Sequence, residues 1–137
     1  MSKQSRRSFI SNTGKAALIT GIAGLTTTTA SAMTASNIFI HHVFFFLNNP
    51  DSKQDRDKLV EGLKKLSKAK SIKSFHIGKP ADTNRDVIDR SYSISWMLQF
   101  NNAADQESYQ TDPIHLKFIE ECSSLWKKVI VYDSVDV

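Results

Sequence analysis

The stretch Asn37-Ile38-Phe39-Ile40-His41-His42-Val43-Phe44-Phe45-Phe46-Leu47 decides the fold. β-Branched and aromatic residues dominate it, which predicts a strand. Side chains alternate across a strand, so Ile38, Ile40, His42, Phe44 and Phe46 share one face, and Phe39, His41, Val43, Phe45 and Leu47 the other. Both rows are mostly apolar. An antiparallel sheet with one wet face carries polar residues on one row, so this sheet is expected to be covered on both sides. The chain supplies enough helix for one cover. A second copy of the same sheet is the simplest other cover, which predicts a dimer.

The pattern continues outward from this strand. Asn48-Asn49-Pro50-Asp51 reads as a turn, and Asp51 or Ser52 caps a helix running to about Lys70 with Leu59, Leu63, Leu66 and Lys70 in its stripe. A second strand is expected over Ile72–Ile77, closed by Gly78 and Pro80, and then a polar loop over Ala81–Asp89. Ser91–Phe100 reads as a strand with Tyr92, Ile94, Trp96, Leu98 and Phe100 on one face and serines on the other. Asn101 or Asn102 caps a helix through Tyr109. Asp112-Pro113 starts another, with Ile114, Phe118, Cys122 and Leu125 on its apolar side, and Trp126–Val135 is the last strand. The order βαββααβ predicts a ferredoxin-like α+β domain with an antiparallel sheet.

Residues 1–32 read as an export leader. Ser5-Arg6-Arg7-Ser8-Phe9-Ile10 has the twin-arginine pattern, Ala16 to Leu25 is a short apolar run, and Ala30-Ser31-Ala32 offers a cleavage site. The expectation is a protein exported to the periplasm or cell envelope by the twin-arginine machinery through residues 5–10. Residues 33–37 are then a short lead-in, and residues 38–135 form one domain. The leader also accounts for the charge. The chain has 18 Lys and Arg against 14 Asp and Glu, a net charge of +4; Lys3, Arg6, Arg7 and Lys15 all lie in residues 1–32, which contain no acid. The rest is formally neutral, so the sequence pI of about 9.2 gives no ground for nucleic-acid binding. Cys122 is the only cysteine; it excludes an intrachain disulfide and a cysteine-based zinc site, and its neighbours read as a small buried hydrophobe.

The candidate chemistry lies in Tyr109-Gln110-Thr111-Asp112-Pro113-Ile114-His115. With Asp112 as cap, His115 sits in the first helical turn, where the helix dipole disfavours the imidazolium and a neutral base results. Tyr109, across a tight corner, offers a phenol to a carbonyl or developing enolate. His42, Phe44 and Phe46 are expected to line an apolar pocket with Trp96. His41, His42, His76 and His115 show no metal-binding spacing, and no metal or cofactor is expected.

This heptapeptide, together with Ile40–Phe46, resembles the Dabb family, the stress-responsive dimeric A/B barrel domains, over Ile38–Ser134. The resemblance implies a homodimeric α/β barrel. A plant polyketide cyclase of that family uses a tyrosine and a histidine in an aldol ring closure; the matching positions here are Tyr109, Pro113 and His115, with His42 for the strand-one histidine and Trp126 for the aromatic that opens the last strand. Asp112 stands where that cyclase has a histidine. Three functions follow as expectations. The first is a stress-associated dimer binding a small apolar or carbonyl-containing molecule through Phe44, Phe46, Trp96 and Trp126. The others are a cofactor-free cyclase or lyase using Tyr109, His115 and His42, and a purely structural envelope dimer.

Overall fold

The computed structural model describes residues 37–137, so the leader lies outside the described residues. Strand β1 (Phe39–Leu47) is followed by helix α1 (Lys53–Leu66), strands β2 (Ser74–Gly78) and β3 (Ile94–Phe100), helices α2 (Ala103–Gln110) and α3 (Pro113–Cys122), a 3₁₀ turn (Ser123–Leu125) and strand β4 (Trp126–Val135). The four strands form one antiparallel sheet in the order β2-β3-β1-β4. This is the ferredoxin-like α+β arrangement that the sequence predicts.

All three helices lie on one face. β1 faces them with His41, Val43, Phe45 and Leu47, all buried, while Ile40, His42, Phe44 and Phe46 are half-buried on the opposite, open face. In β3, Ile94, Trp96, Leu98 and Phe100 join the helix side, with Val43 opposite Trp96. Leu59, Leu63 and Leu66 of α1 close over them, fully buried. At Gly62 the helices come so close that a Cβ would sit 2.6 Å from Cys122 Sγ, so only glycine lets α1 and α3 pack here. Cys122 is itself buried, and burial pushes its thiol pKa up, as suits a packing residue.

Three boundaries differ from the sequence expectation. Helix α1 stops at Leu66 instead of Lys70, since a capping turn at Ser67 brings Ala69 into the core. Carrying the stripe on to Lys70 would bury an ammonium with no counter-charge, which is costly. β2 starts at Ser74 because Ile72 is tied into the preceding turn through Ala69 O (3.2 Å). β3 starts at Ile94, since Ser91 N and Oγ both bond to Asp89 Oδ1. Tyr92 consequently leaves the Trp96 row and packs edge-on against Phe44 on the open face, with ring centroids 4.9 Å apart.

Candidate functional site

The corner between α2 and α3 is built by short polar side chains. Asn102 Oδ1 accepts from Asp105 N (2.8 Å) to start α2. Asp112 Oδ1 accepts from Ile114 N (2.8 Å), and Pro113 takes the first helical position, where its missing N–H costs nothing. This corner brings the Tyr109 and His115 rings to 4.6 Å between centroids. Together with the sheet it encloses a cleft of about 220 Å³, lined by His41, Tyr109 and His115 and by an apolar wall that includes Phe45, Trp96, Phe118 and Trp126.

Hydrogen bonds set the proton positions. Trp96 Nε1–H donates to Tyr109 Oη (3.2 Å), which leaves the phenol hydrogen free for a ligand. Burial holds the Tyr109 pKa above its ordinary value, against the opposing Trp96 hydrogen bond, so the phenol stays a donor. His115 Nδ1 lies 3.1 Å from Gln110 O. A carbonyl only accepts, so Nδ1 carries the hydrogen and Nε2 is left as the base. Burial lowers the His115 pKa, and nearby His41 lowers it further, while the Gln110 carbonyl and the Asp112 carboxylate pull it back up. A lowered pKa favours the neutral imidazole, and burial is its leading cause.

The histidine that β1 brings to this cleft is His41. It is buried, its ring centroid is 6.1 Å from that of Tyr109, and its Nδ1 sits 2.6 Å from Asp133 Oδ1. The carboxylate accepts from Nδ1–H, which fixes the ring. His42 lies on the other face of the sheet, its ring tilted against Phe44 (4.2 Å between centroids). The expectation that His42, Phe44 and Phe46 line a pocket with Trp96 is therefore corrected: adjacent residues of a strand point oppositely, and Trp96 shares the row of Val43. Phe44 and Phe46 instead line a separate hollow of about 170 Å³ with Asp89, Tyr92, Ile130 and Tyr132. Tyr109, His115, Trp96 and Trp126 do converge.

Two residues, His41 in the cleft and its partner Asp133, escaped the sequence reading. A signal for Asp133 was present: it is the one charge in the alternating row Val129, Val131, Asp133, Val135. Row membership also marks His41, which shares a face with Val43, Phe45 and Leu47. Among the described residues no group of three His, Cys, Asp or Glu side chains is placed to hold a metal ion.

Fold and cleft together define a ferredoxin-like α+β domain with His41, Tyr109 and His115 gathered beneath its helices. The chain belongs to the stress-responsive A/B barrel domain (Dabb) family, whose model matches residues 39–136. Among solved structures it is similar to the hydroxynitrile lyase of Passiflora edulis (22% identity, 74% of this chain and 95% of that chain, TM-score 0.62). It is also similar to a Dabb family protein with a ferredoxin-like fold from Mesorhizobium loti (19% identity, 74% and 98%, TM-score 0.62). A third match is a dimeric ferredoxin-like protein of unknown function from Thermobifida fusca (13% identity, 74% and 93%, TM-score 0.60). At these identities the likeness establishes the fold. A comparison with curated proteins finds none that matches.

The cleft makes a stability prediction. The lowered pKa of His115 means that the unfolded chain takes up a proton first as pH falls through about 6.5, so stability rises with pH across that region. Denaturant unfolding at pH 7 and pH 5 should show lower stability at pH 5. The difference should shrink in His115→Gln; an equal difference in the variant would assign the effect to other groups.

Proposed function

We propose that the cleft binds a small apolar carbonyl compound and moves a proton on it, making the protein a cofactor-free enzyme of the lyase or cyclase type. The observation that carries this reading is the convergence of Tyr109, His115 and the Asp133-held His41 in one apolar cleft. At about 220 Å³ the cleft is smaller than the ~300–1,000 Å³ pockets of drug-sized ligands. A compact aryl ketone with a hydrogen on the carbon next to its carbonyl is the size that fits.

In the proposed reaction Tyr109 donates its phenol hydrogen bond to the carbonyl oxygen. His115 Nε2 removes a proton from the adjacent carbon, and the resulting enolate is stabilised by Tyr109, whose own oxygen is oriented by Trp96. Attack of the enolate carbon on a second carbonyl forms the carbon–carbon bond, and the His115 proton passes to the new alkoxide. The reverse sequence cleaves that bond. His41, kept in one tautomer by Asp133, is the second proton carrier. The Passiflora edulis neighbour is named a hydroxynitrile lyase, so the fold accommodates a lyase elsewhere.

Acetophenone in D₂O tests the chemical step without knowledge of the natural substrate. The protein should speed deuterium uptake at the methyl carbon, and His115→Gln and Tyr109→Phe should each lose about 10²–10⁴-fold of that acceleration, the usual worth of a positioned acid or base. Binding of acetophenone with no exchange would make this a binding protein, and equal exchange by the variants would remove both residues from the role.

The homodimer belongs to the same proposal. Ile40, Phe44, Phe46, Ile130 and Tyr132 form an apolar patch on the open face that no described element covers, and Tyr132 is 65% exposed. Relatives of this fold named as dimeric support a second copy as its cover. Export is supported by Arg6-Arg7 and Ala30-Ser31-Ala32 alone. Native mass spectrometry of protein recovered from the cell envelope should give the mass of two chains beginning at Met33. A single chain would refute the dimer, and retention of residues 1–32 would refute cleavage.

A further inference from the structure

The open face of the sheet carries a second chemical feature. His42 of β1 stands opposite Met97 of β3, and Met97 stands opposite His76 of β2. The three side chains form one row across three adjacent strands, all on the face away from the helices. The next row is Phe44, Ser95 and Gly78. His42 leans toward this second row, its ring 4.2 Å from that of Phe44. His76 leans the same way: a Cβ on Gly78 would lie 2.9 Å from His76 Cε1 and 2.7 Å from Ser95 Oγ. Ser95 and Gly78 thus form a low floor between two imidazoles, and only glycine leaves the His76 ring its place. His42 Nε2 is shut off from solvent and has no hydrogen-bond partner, a state that buried polar groups rarely tolerate unless something else meets them.

We propose that His42, Met97 and His76 form a binding site for a soft metal cation, with copper(I) as the ion that suits two imidazole nitrogens and a thioether. The spacing fits. Strands lie about 4.8 Å apart, so the outer two Cα atoms are about 10 Å apart, a span that two imidazoles close on a shared ion through metal–nitrogen bonds of about 2 Å. The donor set selects the ion. Thioether favours copper(I), whereas hard cations need oxygen donors, and this row contains no carboxylate. The site needs one chain only, and His76 lies on the edge strand β2, exposed in the single chain.

The test is anaerobic titration of the protein against the copper(I)–bicinchoninate complex, with light scattering on the same samples to report the oligomer separately. Wild-type protein should withdraw copper(I) from the chelator at one ion per chain. His76→Gln and Met97→Leu should each weaken binding by at least about tenfold, the lower limit seen even for outer-shell partners of metal sites. His76 is exposed and Leu matches Met in volume, so both variants retain the fold, which circular dichroism verifies. Copper–sulfur scattering in the X-ray absorption spectrum should be present in wild type and lost in Met97→Leu. No withdrawal of copper by wild type would overturn the proposal, as would unchanged binding in both variants. Loss of binding in His115→Gln but not in His76→Gln would place the ion in the cleft and overturn it equally.

Discussion

The register of β1 in the sheet is the constraint on which the rest depends. One side of this strand must face the helices, and the residues that do so, His41, Val43, Phe45 and Leu47, are held by pairing with β3 on one side and β4 on the other. A slip of one residue would exchange every side chain between the faces. It would withdraw His41 from Asp133 and Tyr109, put His42 under the helices, and send Phe45 to the open side. The two adjacent histidines thus serve two compartments separated by the thickness of one strand. His41 joins Tyr109 and His115 in the cleft, and His42 belongs to a sheet surface of aromatic and sulfur-bearing side chains.

That division explains what was legible in the chain. The elements and their order could be read because their signals are local: caps at Ser52, Asn102 and Asp112, a leucine stripe in α1, and alternation in β1 and β3. The corner that joins Tyr109 to His115 could also be read, since six residues and a Pro at the first helical position leave little freedom. The face on which each row of β1 would lie was less accessible. Both rows are apolar, so alternation alone does not say which one the helices cover. Pairing of Val43 with Trp96 settles it, and that is a long-range fact. Asp133 was missed for the same reason, being 92 residues from its partner His41 in sequence. Charge at Lys70 ended the α1 stripe sooner than its spacing suggested, a case of burial cost overriding periodicity.

The cleft combines groups with different proton affinities at short range. Burial holds Tyr109 as a donor against the opposing Trp96 hydrogen bond; burial lowers the His115 pKa, while the Gln110 carbonyl at Nδ1 raises it and sets the tautomer with Nε2 free. Pairs of titratable groups whose surroundings push them in opposite directions are the usual mark of acid–base chemistry. The same pieces have structural duties, since Tyr109 is 1% exposed and Trp96 anchors the core. Removing the phenol oxygen alone, or replacing His115 by an amide, separates the chemical duty from the packing one.

The central claim is that the helix side of the sheet, through His41, Tyr109 and His115, is where a small carbonyl compound binds. The most direct measurement is an NMR titration with acetophenone that follows the Trp96 indole N–H and the four histidine side chains. The account predicts saturable shifts at Trp96, His41 and His115, with His42 and His76 unmoved. Shifts confined to His42 and His76, or none at Trp96, would contradict it.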